Sequence, residues 1–122
     1  MPESSIRLTP RPGGERRFRP GDDPGESVLV VSDPSGEREL GRVRGDGSSI
    51  VLADGRLFRV SVRGVRAPRI EVARWDVPGP YLVARPDEAG WTIERTPAGE
   101  ALDACETLEQ LTVVAIDSLE KR

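Results

Sequence analysis

The segment Thr107–Arg122, TLEQLTVVAIDSLEKR, sets the strongest limit on what this chain folds into. Leu108, Leu111, Ala115 and Leu119 recur at helical spacing, with Ile116 flanking them, and so form one apolar stripe. Val113 and Val114 fall outside that stripe. The middle of the segment, Leu111 to Ile116, is therefore too apolar to lie fully in water. Thr107 followed by Gln110 fits a capping box, in which the hydroxyl meets the N3 amide and the Gln side chain returns to the cap amide. Glu109 near the start and Lys121 and Arg122 at the end suit the helix dipole. The pattern predicts a helix over 107–121. TVVAI taken alone also reads as a strand, because it is rich in β-branched residues. A helix of this kind placed after short strands has to close or plug a small β-structure.

The strands are marked by turns. SVLVV (27–31), the turn SDPSGE (32–37) and RELGRVR (38–44) read as a hairpin. After GDGSS (45–49) come SIVL (49–52), Ala53-Asp54-Gly55 and RLFRVSVR (56–63), a second hairpin with Asp-Gly at its turn. In its second strand Phe58, Val60 and Val62 alternate with Arg59, Ser61 and Arg63. RIEVARW (69–75) adds a strand with Ile70 and Val72 inward. PYLVAR (80–85), the turn PDEAG (86–90) and WTIER (91–95) make a third hairpin. Residues 96–106 connect to the helix and have room for a helical turn. The fold class is mainly β (α+β): a small antiparallel barrel or meander of about seven strands with one C-terminal helix. Residues 27–122 form the single domain expected at this length.

Residues 1–26 are expected to be a flexible arm rich in Arg, Pro and Gly. Prolines 2, 10, 12, 20 and 24 deny it helix and central-strand pairing, although Ile6-Arg7-Leu8 is long enough for a short edge strand. Residues 1–20 are accordingly expected to be dispensable for stability. The net charge of −3 is split: residues 1–20 carry +3 and residues 86–122 carry −6. Seventeen of the 18 basic residues are arginine, the usage of a GC-rich bacterial genome. No stretch approaches the ~20 apolar residues of a membrane-spanning helix. The N-terminus lacks the apolar core of a signal peptide. One cysteine, Cys105, fits a reducing compartment, so the expected location is cytoplasmic.

Short hairpins with glycine turns at 41–63 and 80–95, followed by LTVVAIDSL (111–119), resemble the tubby-like superfamily, including the LURP-one-related and scramblase-type proteins. The resemblance implies a helix threaded through a barrel and, for some members, binding to phosphoinositides or membrane lipids. The pattern also resembles PH-like domains, where an amphipathic helix caps one end of a seven-stranded barrel. Val113 and Val114 favour threading, whereas Glu109, Asp117, Ser118 and Glu120 favour capping. GRVRGDGSSIVLADG (41–55) is similar to the start of forkhead-associated domains, which read phosphothreonine, but the Ser-Arg…His continuation is missing.

The chain has no histidine, which removes Ser-His-Asp and Cys-His machinery and the commonest metal ligand. One cysteine excludes the usual zinc clusters. No GxxxxGK or GxGxxG phosphate loop is present. Asp22, Asp23, Asp33, Asp46 and Asp54 read as turn residues. Cys105, just before a helix start, is in a position where a thiol can be acidified, but with no second catalytic partner it reads instead as a small buried or half-buried residue. The expectation is a non-enzyme with no catalytic residue, no metal and no cofactor. Two surfaces stand out. The arm, with Arg7, Arg11, Arg16, Arg17, Arg19 and Phe18, is either a contact for phosphate backbones or anionic lipid, or a solvated tail. The second is an anion-binding face made of Arg42, Arg44, Gly45, Gly47, Arg59 and Arg63, with the two glycines turning amides toward the anion. Those arginines equally suit a solubilising surface paired with Glu37, Glu39 and Glu71, and Asp46 at the turn opposes an anion. The function expected is a binding or interaction module whose ligand is an anionic lipid headgroup or a partner protein. The alternative is a nucleic-acid-associated protein working through the arm. A partial barrel would also leave edges that favour pairing between copies.

Overall fold

The computed structural model describes residues 15–88 and 90–120. Eight strands follow in chain order: β1 (Glu15–Pro20), β2 (Ser27–Asp33), β3 (Gly36–Val43), β4 (Ser49–Leu52), β5 (Leu57–Arg63), β6 (Arg69–Arg74), β7 (Leu82–Asp87) and β8 (Gly90–Arg95). Each pairs antiparallel with the next in one unbroken meander, which curls into a half-barrel. A single turn, α1 (Pro97–Glu100), leads to the long helix α2 (Cys105–Glu120). No helix among the described residues is long and apolar enough to cross a membrane.

The turns do what their residues dictate. Between β4 and β5, Asp54 Oδ1 accepts from the Arg56 amide (3.0 Å), and Leu52 and Arg56 close the hairpin with a 2.9 Å bond. Thr96 caps α1: its hydroxyl oxygen accepts from the Gly99 amide (3.2 Å) and donates to the Pro80 carbonyl (2.7 Å). That pins α1 to the entry of β7.

The concave side of the sheet carries Leu29, Val43, Ile50, Leu52, Phe58, Val60, Ile70, Val72, Leu82 and Ala84, all buried. On β3 to β7 strand alternation delivers them, whereas on β2 Val28, Val30 and Val31 beside Leu29 are buried as well, outside this cluster. Helix α2 fills the trough with Cys105, Leu108, Leu111, Ala115 and Ile116, and Val114 and Leu119 pack at its margin. It lies over β3 and β4. Gly41 makes that approach available, because a Cβ there would sit 2.7 Å from Leu111 Cδ1. Leu40 is the extra residue of a bulge: Leu29 pairs with Gly41, and Val30 pairs with Glu39.

Strands β1 and β8 are the two ends of the sheet, and α2 is tied to both. Arg16 on β1 donates to Gln110 Oε1 (2.7 Å) and Thr107 Oγ1 (3.3 Å). On β8, Arg95 donates to Glu109 (2.6 Å), and the Trp91 indole donates to Glu120. The helix therefore bridges the opening that strand pairing leaves.

Three sequence expectations need correction. Residues 15–20, assigned to a loose arm, form β1, with all six residues in register against Ser27–Ser32. Proline at the last position of an edge strand costs no ladder bond to a neighbour, so Pro20 does not prevent it. The expected edge strand at Ile6-Arg7-Leu8 lies outside the described residues. The helix begins at Cys105, two residues early, and Thr107 and Gln110 are buried inside it. Both accept from Arg16 and do not form a capping box. Finally, Val62 keeps the inward parity of Phe58 and Val60 but lies past the reach of α2, where it is 57% exposed.

Candidate functional site

The anion-binding residues expected from the sequence do not stay together. Arg42 leaves β3 on the outward face and is held by two carboxylates, Glu39 (2.6 Å) and Glu26 (3.1 Å). The Glu39 hydrogen bond, then the field of Glu39 and Glu26, raise its pKa and fix it as a charged, occupied group. Glu26 is itself buried, and it also accepts from the Asp22 amide (3.2 Å), so this ion pair latches the β1–β2 loop onto β3. At the far end of β5, Arg63 shares Glu71 with Arg69, at 3.9 and 2.8 Å. Four residues of strand, roughly 13 Å, separate it from Arg59.

The two glycines serve packing. A Cβ on Gly45 would stand 2.6 Å from the Pro24 carbonyl oxygen, so Gly45 is where the β3–β4 turn touches the β1–β2 loop. Gly47 has φ +76, and a Cβ there would come within 2.5 Å of the Ala115 carbonyl oxygen. Its own amide donates to the Arg44 carbonyl (2.9 Å). The turn is folded against the end of α2, and Asp46 is turned inward on Ser48, accepting from its amide (2.9 Å) and hydroxyl (2.6 Å).

Arg44 and Arg59 do come together. The Arg44 amide donates to the Ser49 carbonyl (3.0 Å), and Ser49 pairs in register with Arg59. The three form one cross-strand row that continues to Ala73 on β6. The two arginines are exposed, and among the described residues neither has an ion-pair partner. At strand spacing their backbones lie roughly 10 Å apart, close enough for both guanidinium groups to grip one acidic group.

Beside this row runs a second one that the sequence reading missed as a site. Arg42 pairs with Val51, and Val51 pairs with Leu57. Trp75 is the first residue past β6, directly after Arg74, which pairs with Phe58, the neighbour of Leu57. Leu57 is 39% exposed and Trp75 is 71% exposed. The signal was available in the alternation: Trp75 shares the parity of Arg69, Glu71 and Ala73, and Leu57 shares that of Arg59.

The other candidates are engaged. Arg17 and Arg19 on β1 both meet Glu37, and Arg16 holds α2. Arg7 and Arg11 lie outside the described residues. Cys105 is buried, as the sequence reading favours, and burial raises its thiol pKa rather than acidifying it. Among the described residues no three His, Cys, Asp or Glu side chains converge as a metal site.

No family model, curated protein or solved structure matches this chain. The functional reading rests on the geometry alone.

Proposed function

We propose that this chain is a non-catalytic interaction module that docks an acidic segment of a partner protein on the outward face of β4–β6. The observation that carries it is the exposed Trp75 beside Leu57, flanked by the row Arg44–Ser49–Arg59. Trp and Arg supply most hot spots at protein interfaces: the ring offers rigid apolar area, and the guanidinium fork grips carboxylates. The face is the outer side of a curled sheet with exposed side chains, which suits a peptide or domain better than a small substrate. A tubby-like or PH-like kinship belongs to the same proposal. It is supported by the order of elements, a meander followed by one helix, and by no motif. A cytoplasmic setting is likewise proposed, on the strength of the lone, buried cysteine.

Titration of the full chain with an acidic peptide bearing interspersed leucines, followed by calorimetry, tests this reading. Trp75→Ala and the Arg44→Glu, Arg59→Glu double variant are each expected to weaken binding at least about tenfold. Unchanged binding by both variants rejects it. Preference for a short duplex, with affinity falling steeply in salt, would favour the nucleic-acid alternative instead.

A further inference from the structure

The far end of the β5–β6 hairpin has a different chemistry. We propose that this tip, residues 62–69, is a contact for an anionic bilayer surface. Val65 at its apex is 99% exposed, and Val62 is 57% exposed. Every residue from Gly64 to Pro68 is exposed, so the tip projects clear of the body. Gly64 (φ +87) makes the bend, with the Ala67 carbonyl oxygen 2.8 Å from where a Cβ would stand.

The segment holds Arg63, Arg66 and Arg69 and no acidic residue. Arg63 and Arg69 face each other in register across the hairpin and share the single carboxylate of Glu71. Arg66, between them, has no ion-pair partner among the described residues. An apolar apex ringed by three cations is a convex knob. A rigid protein surface would need a matching socket for it, whereas the boundary of headgroups and acyl chains deforms around it. Val65 and Val62 leave water there. The arginine stems lie along the boundary with their charged heads at the phosphates. Each arginine held near an anionic leaflet raises the binding constant roughly fivefold.

This contact goes beyond the docking face proposed above and is separable from it. Trp75 and Leu57 lie at the opposite end of the same hairpin, roughly 20 Å away along β5. A bilayer held at the tip leaves the outward face of β4–β6 free.

The test is co-sedimentation of the full chain with vesicles of phosphatidylcholine, with and without phosphatidylglycerol. Binding is expected only to the anionic vesicles, weakening as salt rises. Val65→Asp and Arg66→Glu should each lower it by more than about tenfold, while the melting temperature stays at the wild-type value. Trp75→Ala should bind vesicles normally. The inference is overturned if the wild type ignores anionic vesicles, if it binds neutral ones equally well, or if Val65→Asp binds like wild type. Loss of vesicle binding in Trp75→Ala would also overturn it, by moving the contact to the other end of the hairpin.

Discussion

Two glycines with the same left-handed backbone carry different burdens. Gly47 (φ +76) is packed under the end of α2, while Gly55 (φ +95) turns in open space. Alanine at Gly55 should cost only the backbone preference, about 1–2 kcal/mol. Alanine at Gly47 adds a clash with the Ala115 carbonyl and should cost about 2–5 kcal/mol in urea unfolding. A charged cluster gives a second single-residue test. Arg56 bonds Asp54 (2.7 Å) and Asp103 (2.9 Å), and those hydrogen bonds hold both carboxyls below the usual aspartate range. A lowered folded-state pKa stabilises above the unfolded value of about 3.9, and that contribution is lost as pH falls through the folded values. Both carboxylates are largely exposed, so the effect is small and screened by salt. Thermal unfolding of Arg56→Ala should show a shallower acid limb below about pH 4 than wild type, and the difference should shrink in high salt.

Among the elements, α2 is the one the core depends on. Leu111 is fully buried against Gly41, so Leu111→Ala should cost about 2–5 kcal/mol by chemical denaturation. Val114 sits half-buried at the margin, where a carboxylate can reach water, so Val114→Asp should cost less than Leu111→Ala. The helix is thus seated in a trough, neither threaded through a closed ring nor laid over its end. Its apolar stripe and existence were legible because period 3.6 and the stripe are properties of the segment itself. Its start was not. Thr107 and Gln110 look like a capping box in isolation, and only the approach of Arg16, 94 residues away from Gln110, shows that their polar atoms are used across the fold. The hairpins were legible for the same local reason, with β4 matched end to end at Ser49–Leu52. Strand β1 was missed because Arg17, Arg19 and Pro20 read as tail composition. They are also what an edge strand tolerates and uses to discourage stray pairing. At the proposed docking face, parity placed Arg44 and Arg59 on one side, but Arg42 is already occupied by Glu26 and Glu39, and composition does not reveal that.

At the scale of the molecule, both ends of the meander are fastened by the same helix. Deleting residues 1–19 removes most of β1 together with Arg16, strips the edge of β2 and leaves the buried Gln110 side chain without its donor. We expect a loss of several kcal/mol and a melting temperature lower by more than about 10 °C, seen by calorimetry. An unchanged melting temperature would show that β1 is an appendage. A chain ending at Glu106 should lose cooperative melting altogether, since Leu108, Leu111, Ala115 and Ile116 go with the helix. The same arrangement has a consequence during synthesis. All eight strands leave the ribosome before α2 does. Until α2 arrives, the nascent meander presents an uncovered apolar trough and two unfastened edges, a state prone to misassociation. The cell therefore has to shelter a sheet that is fully written but not yet filled, and the time it must do so is set by how fast α2 clears the exit tunnel.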